Sequence, residues 1–519
     1  MLDLLSPGDR LENSGNDGES SGASENPEDD RQSLRVLRRY FGFDGFRDPQ
    51  SEIVDRTLRG GHSLVLMPTG SGKSLCFQIP ALCHFENRSR FQKPPLTLVL
   101  SPLIALMKDQ VDGLVDRGVP ASMINSSLQS DERHRRMRLI RDGEFALLYV
   151  TPERFRKPEF VQVISQREVM LLAVDEAHCV SSWGHDFRPD YSRLGDIRRL
   201  LGNPCTIALT ATATPDCQID ILRQLNLDEN QTQRFHTGIG RPNLMLDSET
   251  VIDDDEKSQL IHATLRDQRF RDGSAIVYFA LIKTLQQFSD AMQRDGVHHV
   301  CYHGDLDRKQ RRRVQDEFME GSTDVVLATN AFGMGVDKSD IRIVLHAEMP
   351  GSLESYYQEI GRAGRDGRPS LCRLLYDQRD LATQMQFVQW SNPNAEYYRR
   401  LLHLLQHHND QAVALGMPWL NNQMQCISRH DQRLTTALGM MERFGVVAGT
   451  RPPECFQLVQ QTLPSMLDDD ETLDEKRLRD QHRLLAMVQY ANLNDQCQDA
   501  AQLPGLRREM LERYFGIRS

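Results

Sequence analysis

The chain of 519 residues is 39% hydrophobic and 26% charged, carries a formal net charge of -11 and holds ten cysteines. Its length exceeds what one hydrophobic core organises, so about three domains are expected, and no apolar run approaches the ~18 residues of a membrane span. The acidic N-terminus lacks the order of a signal peptide and the cysteines form no C-x-x-C pair, which together favour free thiols in an intracellular protein, cytoplasmic and chromosome-associated if bacterial.

Residues 1–31 are rich in Ser, Gly, Asn, Asp and Glu and cannot bury enough apolar surface to offset ordering, which predicts a disordered acidic tail. This tail and the run Asp468-Asp469-Asp470-Glu471 hold much of the excess acid, so a local basic groove for nucleic acid stays open. Residues 32–236 alternate apolar runs with amphipathic stretches. Strands are predicted at Leu64–Met67, Leu96–Leu100, Ala121–Ile124, Ala146–Val150, Val169–Val174 and Thr206–Leu209, an α/β order that makes a doubly wound parallel sheet.

The first strand runs into Pro68-Thr69-Gly70-Ser71-Gly72, after which Lys73-Ser74 open a helix. Strand, glycine loop and helix N-terminus make a phosphate cradle: the glycines let backbone N–H groups turn to the anion, and the helix adds the positive end of its dipole. Lys73 would reach the β- and γ-phosphates and the Ser74 hydroxyl would bind Mg2+. Met67 stands where the usual motif has its first glycine, so the loop needs a partner elsewhere to be diagnostic. Asp175-Glu176, at the end of the strand Val169–Val174, supply it. Alone, two acids after a strand read as a solvated helix start. With Lys73-Ser74 they read as a nucleoside triphosphate site, Asp175 suited to Mg2+ and Glu176 to orienting or deprotonating a water.

Residues 237–378 repeat the alternation, with strands predicted at Ala275–Phe279, Val297–Tyr302, Val325–Ala328, Ile341–Leu345 and Cys372–Tyr376 but no second glycine-lysine loop. Two such units with one phosphate site predict a nucleotide held between them. Residues 379–519 turn helical, most clearly at Tyr397–Leu405. Gln423–Phe456 reads helix, turn, helix, and a small hairpin follows from Gly445 to Leu458, which fits either a winged-helix-like module or a plain helical packing domain. Asp468–Glu471 reads as a solvated linker, and an amphipathic stretch from Arg477 to Phe515 closes the chain.

From Leu37 to Tyr376 the motifs resemble those of RecQ-family DNA helicases, within the superfamily 2 helicases built on two RecA-like domains. The resemblance rests on Phe41-Gly42-Phe43 with Phe46-Arg47 and Gln50, on Ser101-Pro102-Leu103-Ile104-Ala105-Leu106-Met107-Lys108-Asp109-Gln110 and on Thr151-Pro152-Glu153-Arg154. It continues through Trp183-Gly184-His185-Asp186-Phe187-Arg188, Leu209-Thr210-Ala211-Thr212-Ala213-Thr214, Gly333-Met334-Gly335-Val336-Asp337 and Gln358-Glu359-Ile360-Gly361-Arg362-Ala363-Gly364-Arg365.

The resemblance implies that Phe43 stacks an adenine whose edge Arg47 and Gln50 bond, and that Thr69, Gly70, Ser71, Gly72, Gly335 and Asp337 line the nucleotide. It implies that Ser101 and Thr151 hold DNA phosphates without reading sequence, although both would serve equally as helix caps. Trp183, Phe187 and Arg188 would meet single-stranded DNA, where base stacking is worth roughly 1–3 kcal/mol per base. Gln358, Arg362 and Arg365 would act from the second unit. Three residues apart, the two arginines are expected on one helical face, as fingers worth ~10³–10⁵ in rate once the units close.

Two departures stand out. Phe279-Ala280-Leu281-Ile282-Lys283 replaces the family's polar Ser-Arg pair, leaving Lys283 or Thr284 for the DNA backbone. Leu506-Arg507-Arg508 and Tyr514-Phe515-Gly516 resemble the opening helix of the family's zinc module, with Leu506 at the first Cys position. A closed structural zinc site needs four ligands, so ATP and Mg2+ are expected but no zinc. The resulting expectation is a monomeric ATP-dependent 3′-to-5′ DNA helicase or translocase of repair or recombination, acting on single-stranded and tailed duplex DNA, with no membrane partner. The alternative is a DNA-stimulated ATPase clamp that does not separate strands; an RNA helicase fits Phe46-Arg47, Trp183 and Phe187 less well.

Overall fold

Leu64 and Leu66 point to one face of a strand and Val65 to the other, and all three are buried, the mark of a central strand covered on both sides. This strand belongs to a computed structural model that describes residues 27–125, 128–181, 189–238, 240–333, 336–426, 428, 431–450, 455–496 and 502–517. Strands β1 (His62–Leu66), β2 (Leu96–Leu100), β3 (Ala121–Ile124), β4 (Leu147–Val150), β5 (Val169–Val174), β6 (Cys205–Thr210) and β7 (Thr232–His236) form the first sheet. All pairings are parallel and the order is β3-β4-β2-β5-β6-β1-β7. One face buries Leu64, Leu98, Leu172 and Ala208 with helices Ser130–Asp142, Pro158–Ile164 and Pro215–Gln224. The other buries Val65, Val99, Ala173 and Ile207 with helices Gln50–Leu58, Leu75–Glu86 and Ile104–Asp116.

The second lobe repeats the plan with β8 (Leu244–Thr250), β9 (Ser274–Tyr278), β10 (Val300–Tyr302), β11 (Val325–Ala328), β12 (Ile341–His346) and β13 (Ser370–Tyr376), all parallel, in the order β10-β11-β9-β12-β13-β8. Two strands, β7 and β8, escape the sequence reading. Both are edge strands with one partner each, so Thr-Gln-Arg-Phe-His and Leu-Met-Leu-Asp-Ser-Glu-Thr alternate buried and exposed residues where central strands run apolar throughout.

After β13 the helix Gln378–Ser391 leads to a separate unit of helices Ala395–His407, Asn409–Gln423 and Arg433–Arg443 with an antiparallel hairpin, β14 (Val447–Ala448) and β15 (Gln457–Leu458). Its own core holds Leu401, Leu420, Leu438 and Phe456. The chain then returns to the second lobe. Helices Asp470–Ala491 and Leu503–Tyr514 insert Met487, Tyr490, Leu511 and nearby Phe515 into the core that holds Ile276, Val344 and Tyr356. Ser248 Oγ donates to the Ala491 carbonyl at 3.0 Å, and Arg507, in the helix that resembles a zinc module, donates to the Tyr490 carbonyl at 2.8 Å beneath the surface. The second lobe is thus assembled from two stretches of sequence with the hairpin-bearing unit between them.

That unit also reaches the first lobe: Arg156 donates to Glu442 at 2.6 and 3.0 Å and to Asp190 at 2.6 Å. The acidic run expected as a linker instead starts a helix, because Asp469 accepts from Thr472 N at 3.1 Å and from its Oγ1 at 2.7 Å, and carboxylates favour the positive end of the helix dipole. A helix, Pro27–Val36, begins inside the segment expected to be disordered; residues 1–26 of that segment lie outside the described residues. Among the described residues no helix is long and apolar enough to cross a membrane.

Candidate nucleotide site between the lobes

β1 delivers the chain to Met67, whose N–H donates to the Thr210 carbonyl at 3.2 Å before Pro68 turns it away from the sheet. Gly70 and Gly72 follow at φ +78° and +82°, left-handed values that side-chain-bearing residues resist. A Cβ on Gly72 would also meet Gln50 Nε2 at 2.6 Å. Ser71 Oγ donates to the Pro68 carbonyl at 2.6 Å, and Lys73 folds back so that Nζ donates to the Met67 carbonyl at 2.9 Å. Gln110 Nε2 donates to Ser74 Oγ at 3.2 Å.

Gln50 ties the upstream segment to this loop. Its Nε2 donates to the Ser71 and Gly72 carbonyls at 3.1 and 3.2 Å, and its Oε1 accepts from Arg47 N at 2.9 Å. What the amide retains for a base is the second lone pair of Oε1. Phe43 nearby is half exposed.

The acids lie two strands from the loop, with β6 between β5 and β1. Asp175 N donates to the Leu100 carbonyl at 2.8 Å, and Asp175 Oδ1 accepts from Glu176 N at 3.0 Å. Glu176 adopts φ 48°, ψ 49°, a left-handed conformation that costs a residue with a Cβ. Its Oε2 is buried with no hydrogen-bond partner, 3.4 Å from Nδ1 of His178, which in turn lies 3.0 Å from Thr210 Oγ1 at the end of β6. Burial, then the neighbouring Glu176, hold the Asp175 carboxyl up at about 7, against the pull of Lys73. Burial also lowers the Lys73 ammonium, which Glu176 and Asp175 oppose. Two carboxylates short of positive charge, with the Ser74 hydroxyl, are a hard-oxygen donor set that fits Mg2+.

The second lobe presents the helix Leu353–Ile360, which carries Gln358, half-buried, and stops at Gly361. Arg362 and Arg365 therefore lie in the turns beyond it, and the shared helical face expected from their spacing is not formed. Arg362 is buried within its own lobe. It donates from Nη1 to the Gly333 carbonyl, and a Cβ on Gly333 would sit 2.6–2.9 Å from its guanidinium. Arg365 crosses the cleft: its Cγ lies 3.4 Å from where a Cβ on Gly70 would be, and its Nη1 donates to Asp337.

Two further contacts close the seam. Thr69 Oγ1 donates to the Gly361 carbonyl at 2.9 Å. Arg241, in the connection from β7 to β8, donates to the Ala363 and Gly364 carbonyls at 2.6 and 2.7 Å and reaches the Thr69 and Gly361 carbonyls at 3.4 Å. Asn243 Nδ2 adds bonds to the Gly364 and Arg368 carbonyls at 2.8 and 2.9 Å.

Residues 47–219 match the family model described as DEAD/DEAH box helicase, and residues 256–367 the one described as Helicase conserved C-terminal domain. The probable ATP-dependent DNA helicase RecS of Bacillus subtilis (strain 168) is 37% identical over 374 residues, covering 72% of this chain and 72% of that protein. This chain belongs to the RecQ-like helicases of superfamily 2. The ATP-dependent DNA helicase RecQ of the same bacterium is 41% identical over 358 residues, 69% of this chain and 58% of that protein. The chain spans 53–58% of the length of the RecQ relatives it matches. Among solved structures, Mycobacterium smegmatis helicase Lhr bound to ssDNA and AMP-PNP aligns with a TM-score of 0.52 at 20% identity, covering 77% of this chain and 55% of that one, a likeness of fold.

The other RecQ-like motifs fall at the carboxyl edge of the first sheet. Ser101 Oγ is buried without a hydrogen-bond partner, and Thr151, also buried, opens the turn Pro152–Arg156 without a side-chain cap bond, so neither hydroxyl caps the helical segment after it. Trp183, Phe187, Arg188 and Gly335 lie outside the described residues. In the departing segment of the second lobe, the Ala280 and Leu281 N–H groups donate to Glu348 Oε2 at 2.7 and 3.0 Å, so those amides are engaged at the start of the helix Ile282–Arg294. Sequence reasoning missed Arg241, Asn243 and the bond from Gln110 to Ser74. The one signal available for the first two was an Arg-Pro-Asn run in the short connection between two repeats.

Proposed function

We propose that the chain is an ATP-dependent DNA helicase of RecQ type that tracks single-stranded DNA 3′ to 5′ and serves repair or recombination. The approach of Arg365 to Gly70 carries this reading, because it brings the stem and Nε of an arginine of one lobe against the phosphate loop of the other. Lys73 would exchange the Met67 carbonyl for a phosphate oxygen, Ser74 and Asp175 would hold Mg2+, and Glu176, whose buried Oε2 makes no hydrogen bond, would orient the attacking water. Bound Mg2+ neutralises phosphate charge at that place. Gln358 and Arg362 support the second-lobe side, and Arg365 stabilises charge on the transferring group. By the same resemblance Phe43 would stack the base, Arg47 and Gln50 would meet its edge, and Gly335 and Asp337 would line the nucleotide.

Ser101 and Thr151 would position the DNA backbone while Trp183, Phe187 and Arg188 engage bases. Opening duplex opposes about 1.4 kcal/mol of stacking per base-pair step, so a cycle of closing and opening is required. The test is ATP turnover with single-stranded DNA and with RNA, beside strand displacement on 3′-tailed and 5′-tailed duplexes. Expected are stimulation by DNA, displacement of the 3′-tailed duplex alone, and loss of both in Lys73→Ala; full DNA-stimulated turnover in that variant would overturn the site assignment.

A DNA-stimulated ATPase clamp that does not separate strands is the second reading. It draws on Arg156 and Glu442, which fasten the hairpin-bearing unit to the first lobe while its flanking helices are built into the second, a strap that limits opening. Stimulation without displacement would favour it.

A further inference from the structure

The cleft does not account for a second concavity on the first lobe. Helices Ser130–Asp142 and Pro158–Ile164 flank a groove of about 850 Å³ lined by Arg133, Arg138, Arg141 and Arg154 against two acids, Asp131 and Glu159. Within the same helix Glu132 neutralises Arg135 and Arg136 at 2.8 and 2.6 Å, whereas Arg133 and Arg138 pair with no carboxylate among the described residues. Arg154 closes the inner end. It is 6% exposed, and its Nε and Nη2 are buried without hydrogen-bond partners. Burial, then the charge of nearby Arg133, lower the Arg154 pKa, with Glu159 opposing them. Like charges gathered around an unpartnered guanidinium, in a chain of net charge -11, are not a consequence of composition. They favour an anion.

The dimensions favour a chain of anions. A helix of 13 residues is about 20 Å long, room for several phosphates in a row. The groove lies toward the β3-β4 end of the sheet; β4 is four places from β1, roughly 20 Å from the phosphate loop at ~4.8 Å per strand. Arg154 belongs to the turn that follows β4, and because every strand is parallel this turn leaves the same carboxyl edge as Lys73 and Asp175. A backbone passing the cleft can therefore enter the groove without crossing the sheet. We propose that this groove binds a second stretch of DNA phosphate backbone, apart from the strand held over the cleft. The proposal rests on the reading of the chain as a DNA-handling protein.

Arg138 is exposed and Arg133 half-buried, and neither belongs to a core, so Arg133→Gln with Arg138→Gln in the full chain leaves the core intact. The probes are a short single strand that spans only the cleft and a forked duplex with two long arms, each titrated across a range of salt. Removing two phosphate contacts lowers the slope of log affinity against log salt by about 1.4 for single strands. That loss is expected on the fork, with the slope on the short strand and the ATP turnover it stimulates unchanged. An unchanged slope on the fork, or equal losses on both probes, would overturn the proposal. So would binding of labelled polyglutamate that depends on the two arginines while the DNA slopes do not, which assigns the groove to an acidic protein segment. A wild-type chain without DNA-stimulated turnover would count against the cleft reading, and the fork slope would still judge the groove.

Discussion

Thr69 Oγ1, in the phosphate loop, donates a 2.9 Å hydrogen bond to the carbonyl of Gly361, the residue that ends the helix Leu353–Ile360 just before the two arginines of the other lobe. A hydroxyl inside the cradle therefore registers whether the lobes have met. Thr69→Val keeps the shape and removes the donor. A neutral hydrogen bond is worth about 1 kcal/mol, so DNA-stimulated turnover should fall roughly fivefold. Gly361→Ala should cost more, because its Cβ would lie 2.5 Å from Thr69 Oγ1 and 3.1 Å from the Tyr357 carbonyl. Steady-state rates for the two variants check the order.

The two arginines of the second lobe should separate on mutation. Arg365→Ala removes the guanidinium that crosses to Gly70 and should lower kcat by ~10³ or more while the melting temperature holds. Arg362→Ala empties a buried position against Gly333 and should lower the melting temperature as well. Equal turnover of Arg365→Ala and the parent chain would remove Arg365 from the reaction.

Arg241 should prove to be a positioning residue. Its guanidinium ties the Thr69 carbonyl to the backbone on both sides of Arg362 and touches no reacting group. Arg241→Met keeps the stem and loses the donors, each worth roughly 1.5–3 kcal/mol when the group is charged. Turnover should fall mainly through kcat, and thermal unfolding should split into two transitions as the lobes uncouple. A single transition with unchanged kcat would count against this role.

Asp380 gives a test by pH. It accepts from Met349 N at 2.9 Å and lies 3.8 Å from Lys257 Nζ, which is also 3.7 Å from Asp377. Burial pushes the Asp380 carboxyl up to about 7, against the pull of Lys257. The folded state thus holds a proton that the unfolded chain releases near pH ~4. This stability is complete below about pH 4 and is lost as pH rises through about 7, by something of the order of 2–4 kcal/mol. Melting temperatures measured from about pH 5 to about pH 8 should fall more steeply for the parent chain than for Asp380→Asn.

The sequence discloses what burial on two faces makes uniform. The nine interior strands, and the short edge strands β3 and β10, stand out as apolar runs, whereas the edge strands β7 and β8 alternate buried and exposed residues. The cradle, too, is legible, since Gly70, Gly72, Lys73 and Ser74 must follow one another in the chain to work at all. Arg362 and Arg365 look alike on paper. Only the end of the helix at Ile360 sends one inward and the other across the cleft. Arg241 stays hidden for the opposite reason: apart from Asn243 Oδ1, its acceptors are backbone carbonyls, which leave no trace in the identity of the residues that own them. Asp469 shows how a charged run misleads, because a carboxylate that caps a helix has the same composition as one that floats in a linker.

The second lobe's divided sequence has a bearing on how the protein is born. Synthesis proceeds at about 5–20 residues per second, so β8 to β13 leave the ribosome well before Tyr490, Leu511 and Phe515 exist to cover them. In that interval the inserted unit emerges with a core of its own and can fold first. The sheet waits with an apolar flank bare, an invitation to chaperones or to misassembly, until the last helices arrive to cover it.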